Sequence, residues 1–159
     1  MRATLFVMLI ALPAAAVADP MPAIDPGSVP SECAALAQVP PSAKIPQPAI
    51  EARIAVASCG AMSRFKGLQM SGPDAAIAAL TDAAKPSFAL LDTAIAANDP
   101  VWSPIASKMK ASIYLSMVVR ARNSIPPITM QTVGQALADH DQAHAALEPK
   151  IKPWLDQSH

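Results

Sequence analysis

Proline placement is the feature that most constrains how this chain can fold. Eight of the 17 prolines lie between residues 20 and 48, and proline neither continues a helix interior nor donates a hydrogen bond in a central strand. We therefore expect residues 19–48 to form an extended arm with polyproline-II character. One short helix fits inside this arm, because Ser31 can cap the run from Glu32 to Ala37 before Pro40 stops it.

After the arm, the spacing of apolar residues becomes that of helices. Four segments carry apolar side chains at intervals of three and four positions, which is typical of helices with one buried face. They span about residues 49–69, 73–97, 99–123 and 130–148. The short connections favour antiparallel neighbours. The sequence predicts an all-α fold of about four antiparallel helices, in a bundle or as paired helical hairpins, over residues 49–159.

Prolines and caps set the details of these helices. The second predicted helix contains Pro86, but its apolar stripe keeps the same phase on both sides, which predicts one kinked helix. The third helix can begin with Asp99 as its cap, or with Ser103 as its cap and Pro104 as its first residue. Pro149 and Pro153 are expected to kink or end the fourth helix, and the tail that follows can fold back on the domain.

The third predicted helix is the expected centre of the fold. Its second half, residues 113–119, is apolar on nearly every side. A helix of this kind is typically surrounded by other helices.

Residues 1–18 have the pattern of a cleavable export signal. A basic residue precedes an apolar run, and Ala16 and Ala18 stand at the two positions that a signal peptidase reads. The apolar run is far shorter than the ~20 residues that a membrane-spanning helix needs. We expect cleavage after Ala18 and a soluble mature chain that begins at Asp19, without a transmembrane segment. The short, alanine-rich signal favours the bacterial periplasm over another secretory route.

Cys33 and Cys59 are the two cysteines of the chain, and in an exported protein such a pair is expected to form a disulfide. Their spacing matches no redox, haem-attachment or zinc motif. Closing this loop stabilises a folded domain by about 3.5 kcal/mol in the chain-entropy model. Cys59 lies opposite the apolar stripe of its predicted helix. The arm is therefore expected to be fastened across the outer face of that helix.

The charge balance argues against a nucleic-acid partner. The chain has 12 basic and 12 acidic residues, and loss of Arg2 with the signal leaves 11 against 12, a net charge of about −1. Without a basic surface there is no field to attract a phosphate backbone. The expected kind of partner is another envelope or secreted protein.

One group of residues has the spacing of a metal site. His140 and His144 lie four positions apart, on one face of a predicted helix, and Glu148 follows one turn later. Two imidazoles and a carboxylate are ligands that zinc or copper accepts. The alternative, which the weakness of an isolated pattern favours, is that both histidines are hydrogen-bonded residues of the core or of its wet edge.

A haem is the second cofactor that the composition brings into consideration. The chain has eight methionines, and an exported four-helix bundle can hold haem b between a methionine and a histidine on facing helices. Flexible filling of an aromatic-poor core explains the methionines more simply.

The sequence has no recognisable catalytic motif. It contains neither G-x-S-x-G nor a glycine-rich phosphate loop, and we predict no catalytic residue and no cofactor. The leading hypothesis is an exported, non-enzymatic helical protein that acts as a binding or envelope-associated module. A metal- or haem-binding protein that uses His140 and His144 is the alternative, and an exported enzyme is the third.

Overall fold

The computed structural model describes residues 21–38, 46–126 and 135–159, so the predicted export signal lies outside the described residues. Two short 3₁₀ helices, Pro26–Ser28 and Ser31–Ala37, precede four long α-helices. These are α1 (Pro46–Lys66), α2 (Pro73–Ala96), α3 (Trp102–Arg122) and α4 (Gln135–Gln157). The described ranges contain no strand, which confirms the predicted all-α class. None of the helices described combines the length and apolarity needed to cross a bilayer.

The pair of α2 and α3 forms the centre of the fold. Each of them contacts the other three long helices, whereas α1 and α4 make at most marginal contact with each other in the described ranges. α1 packs mainly on α2, and α4 packs mainly on α3. All four helices contribute to one core, whose large, fully buried side chains are Ile50, Phe65, Leu80, Leu91, Ile113, Met117, Leu147 and Ile151.

The arm crosses the outer face of α1, as predicted. Cys33 and Cys59 form a disulfide with their Cα atoms 5.9 Å apart, and neither cysteine belongs to the core cluster. The 3₁₀ helix Ser31–Ala37 packs along α1. The predicted cap was wrong, because Ser31 is the first residue of this helix and Pro30 precedes it without a side-chain capping bond.

Polar contacts that the sequence did not suggest also hold the arm. Arg53, which is only 3% exposed, donates to the backbone carbonyl of Pro22. Arg64 donates to the carbonyl of Ser28. These two guanidinium groups provide hydrogen-bond donors for the arm carbonyl groups of Pro22 and Ser28.

α1 begins earlier than predicted. It starts at Pro46 and includes Pro48 in its first turn. The first N–H groups of a helix have no acceptor within the helix, so proline is tolerated there.

α2 and α3 begin and end close to the predicted positions. α2 continues through Pro86 without interruption. Val101 holds the N-cap position of α3 and makes no side-chain capping bond. Asp99 nevertheless accepts hydrogen bonds at the start of this helix, since the backbone N–H groups of Val101 and Trp102 donate to its Oδ1 at 2.9 Å. The alternative cap, Ser103, instead donates to a carbonyl of α2 at 3.1 Å.

α4 does not end where the sequence predicted. The helix passes Glu148 and continues with Pro149 and Pro153 inside it, although an interior proline costs about 3 kcal/mol. Leu147 and Ile151 are both fully buried. Burial of each such side chain stabilises the fold by about 1.5–3 kcal/mol, so packing of a continuous helical stripe offsets the cost of the prolines.

α3 is surrounded on only part of its circumference. Ile113 and Met117 are buried, as expected for the centre of the fold, but Leu115 is 51% and Val119 is 50% exposed. The expectation of a helix enclosed on nearly every side was wrong for this face. The reason is that α1 and α4 flank α3 without closing over it.

Candidate functional site

An open cleft lies where α2, α3 and the end of α4 meet. Its volume is about 450 Å³, which is within the range of small-molecule sites. We call it the aromatic cleft, and it is lined by Thr81, Lys85, Phe88, Tyr114, Met117, Pro153, Trp154 and Gln157.

Helical spacing explains why these side chains share one surface. On α2, the residues that line the cleft are separated by four and three positions, and on α3 Tyr114 and Met117 are separated by three. Residues at such intervals lie on one face of a helix. Trp154 reaches this surface because α4 continues through Pro153.

Aromatic side chains are concentrated in this cleft. Only 4% of the chain is aromatic, yet Phe88, Tyr114 and Trp154 all line the same opening. Aromatic residues offer a large contact area with little conformational freedom to lose, and they are enriched at binding surfaces. These three side chains are partly buried and also pack against the core.

One wall of the aromatic cleft is held rigidly by its neighbours. The rings of Phe88 and Tyr114 are 4.5 Å apart between centroids and inclined by 31°. The Nζ atom of Lys110 lies 5.6 Å from the centroid of the Phe88 ring and 2.6 Å from Oδ1 of Asp92. The ring contact and the cation–π contact stabilise the positions of these side chains.

The polar groups of the cleft are available to a ligand. The side chains of Tyr114, Trp154 and Gln157 make no hydrogen bond to any residue within the described ranges. The Nζ atom of Lys85 is 2.7 Å from Asp82, but both side chains are about 70% exposed, so this ion pair is weak. None of the lining residues within the described part of the chain is acidic.

A second depression lies between α1 and α3. It has a volume of about 510 Å³ and is lined by Met62, Leu115, Ser116, Val119, Arg120 and Asn123. We call it the α3 groove. The guanidinium group of Arg120 is already engaged there, since it donates to the carbonyl of Phe65 at 3.2 Å and lies 5.5 Å from the centroid of that ring.

The predicted metal ligands are brought together only in part. The rings of His140 and His144 are 4.6 Å apart between centroids. Nδ1 of His140 is buried without a hydrogen-bond partner in the described part of the chain, and it lies 3.7 Å from Oδ1 of Asp141. Neither histidine lines the aromatic cleft.

The third predicted ligand, Glu148, is engaged by another residue. Its two carboxylate oxygens accept hydrogen bonds from Nε and Nη2 of Arg122 at 3.0 and 2.9 Å. These hydrogen bonds lower the pKa of Glu148 below its ordinary value. Across the described residues, no three His, Cys, Asp or Glu side chains lie close enough to hold a metal ion. The three-ligand site stays a prediction that would require Glu148 to leave Arg122.

Sequence reasoning did not find the aromatic cleft. Phe88 belongs to the apolar stripe of α2, and Trp154 lies beyond the predicted end of α4, so nothing in the linear pattern joined them. The one signal in the sequence is that Tyr114 and Trp154 are among the few aromatic residues of the chain.

Comparison of the chain with protein-family models, curated proteins and solved structures gave no match.

Proposed function

We propose that this chain is an exported, non-enzymatic binding protein that acts on another component of the cell envelope or of the secreted material. The pattern of residues 1–18 supports export. The disulfide between Cys33 and Cys59 is compatible with an oxidising compartment.

The aromatic cleft is the observation that carries the binding function. A fold that only had to be stable would gain by burying Phe88, Tyr114 and Trp154 completely, because each carries a large apolar area. All three line an open cleft instead, beside polar groups that have no partner in the described ranges. This combination of a preformed apolar surface and free polar groups is typical of ligand sites.

Site-specific crosslinking tests the binding function. A photoreactive amino acid is placed at Gln157, on the cleft, and in a matched variant at Ala145, an exposed position of α4 outside the cleft. After irradiation in cells that export the protein, we expect a reproducible mass increase for the Gln157 variant alone. No adduct at Gln157, or the same adducts at both positions, would contradict a binding function at this surface.

A metal site on α4 is the second candidate function. Two imidazole rings 4.6 Å apart, one with a buried Nδ1 that has no hydrogen-bond partner within the described ranges, are suited to share a divalent ion such as Zn²⁺ or Cu²⁺. Haem b would use one of these histidines as an axial ligand.

Titration calorimetry with Zn²⁺ and Cu²⁺ and an absorption spectrum test this candidate. If the ligands are His140, His144 and Glu148, replacing both histidines with alanine abolishes binding, whereas His159→Ala at the end of the chain does not. Arg122→Gln should strengthen binding, because it releases the Glu148 carboxylate. A protein that takes up neither metal nor haem, or binds metal equally well without both histidines, rejects the site.

A further inference from the structure

We propose that the aromatic cleft binds a compact aromatic anion, a planar apolar ring system that carries one carboxylate or sulfonate group. This inference rests on the proposed binding function and names the chemical class of its ligand.

The shape and chemistry of the walls favour a planar apolar body. The stacked rings of Phe88 and Tyr114 form one wall, and Met117, only 1% exposed, contributes an apolar floor. Pro153 and Trp154 of α4 line the same cleft. A flat ring system placed there would be in contact with aromatic and apolar side chains.

The charge of the cleft favours an anion over a cation. Among the described residues that line it, Lys85 is the single charged one. Aromatic clusters often bind cations through the faces of their rings, but here the ammonium group of Lys110 already lies over Phe88. A cationic ligand would meet the ammonium group of Lys85, whereas an anionic group can pair with it in place of the exposed Asp82.

Hydrogen-bond donors line the same cleft as Lys85. The Tyr114 hydroxyl, the Trp154 indole N–H and the Gln157 amide have no protein partner in the described ranges. The oxygens of a carboxylate or sulfonate accept hydrogen bonds, and bonds to an ionised acceptor are stronger than neutral ones. The volume of about 450 Å³ is sufficient for a small ring system.

Two fluorescent probes with the same aromatic body test the proposal. Anilinonaphthalene sulfonate carries an anionic group, and N-phenylnaphthylamine lacks it. Each is titrated into the folded, oxidised protein, and we expect saturable binding of one sulfonate probe per chain. The neutral probe should bind about fivefold more weakly, because it forfeits a partly exposed charge contact and its hydrogen bonds.

Substitutions distinguish the cleft from other apolar surfaces. Lys85→Gln should weaken the sulfonate probe about fivefold and leave the neutral probe unchanged, whereas Lys108→Gln, which removes the same charge from an exposed position outside the cleft, should affect neither. Trp154→Ala should weaken both probes about tenfold or more. Leu115→Ser in the α3 groove should change neither, and unfolding curves verify that each variant is folded.

Several outcomes would overturn the inference. The first is that neither probe binds saturably. The second is that Lys85→Gln and Lys108→Gln change the affinity for the sulfonate probe equally. The third is that Leu115→Ser abolishes probe binding whereas Trp154→Ala retains it. A crosslinked adduct at Gln157 without probe binding would reject the aromatic anion and keep the binding function. If neither crosslinking at Gln157 nor probe binding is observed, both the binding function and the aromatic-anion ligand are rejected.

Discussion

At the scale of single residues, the ion pair between Arg122 and Glu148 connects the end of α3 to the middle of α4. The hydrogen bonds from Arg122 lower the pKa of Glu148 in the folded protein. A carboxylate with a lowered folded pKa stabilises the fold at pH values above its unfolded pKa, and this contribution is lost as the pH falls through the folded pKa. Since the two side chains are 43% and 46% exposed, solvent screening limits it to about 1 kcal/mol or less.

Glu148→Gln therefore lowers the free energy of unfolding by up to about 1 kcal/mol at neutral pH. The difference from the wild type should shrink in acid, where the wild-type carboxyl group is protonated too. Urea unfolding of both proteins at neutral pH and below the folded pKa measures this change. Glu51→Gln, at an exposed position of α1, is the control and should have little effect. An equal loss for Glu148→Gln at both pH values would show that the charge is not responsible.

At the scale of elements, the arm and α4 depend on different interactions. The arm is fastened by the disulfide and by Arg53 and Arg64, all outside the core cluster. Replacing Cys33 and Cys59 together with serine should lower the free energy of unfolding by about 3.5 kcal/mol in the chain-entropy model. The helical circular dichroism should persist, and limited proteolysis should cut the arm first. Loss of the helical signal, or unchanged stability, would contradict this account of the arm.

α4 retains its two interior prolines because its buried stripe is continuous. Pro149 is exposed, so Pro149→Ala restores a helix donor without disturbing the core. Alanine stabilises the helix relative to proline, and it also stabilises the unfolded chain by giving it more conformational entropy. The first effect is larger, so we expect Pro149→Ala to increase the free energy of unfolding by about 1–2 kcal/mol. Pro104→Ala, in the first turn of α3 where proline fits, should give no increase. A Pro149→Ala protein no more stable than the wild type would count against a regular helix at this position.

The helices were predictable where the spacing of apolar residues agreed with the positions of capping and helix-breaking residues. The stripe of α2 keeps its phase through Pro86, and the sequence alone predicted one helix there. Leu147, Ile151 and Trp154 continue the apolar spacing of α4 in the same way. The two closely spaced prolines nevertheless favoured an end of the helix near Glu148. Packing against α3 keeps the segment helical, and the sequence does not show this packing. The aromatic cleft and the contacts from Arg53 and Arg64 to the arm could not be predicted, because they depend on how distant segments meet.

At the scale of the whole molecule, the disulfide-linked arm and the proposed binding site lie on different helices. The disulfide and the arm lie on α1, whereas the aromatic cleft is formed by α2, α3 and α4. Because distant sites act nearly independently, the Cys33→Ser and Cys59→Ser protein should bind anilinonaphthalene sulfonate within about twofold of the wild-type affinity under conditions where it is folded. Fluorescence titration in the absence of denaturant measures this, and a large loss of affinity would mean that the arm shapes the cleft.

Native mass spectrometry of the protein recovered from cells of its own source tests the central claim, export and binding through the aromatic cleft, most directly. The account predicts a chain that begins at Asp19, has its disulfide formed and carries a small noncovalent ligand, which is lost in Trp154→Ala and retained in Leu115→Ser. A chain that keeps residues 1–18, carries no ligand, or holds the same ligand in Trp154→Ala would contradict an exported protein that binds through its aromatic cleft.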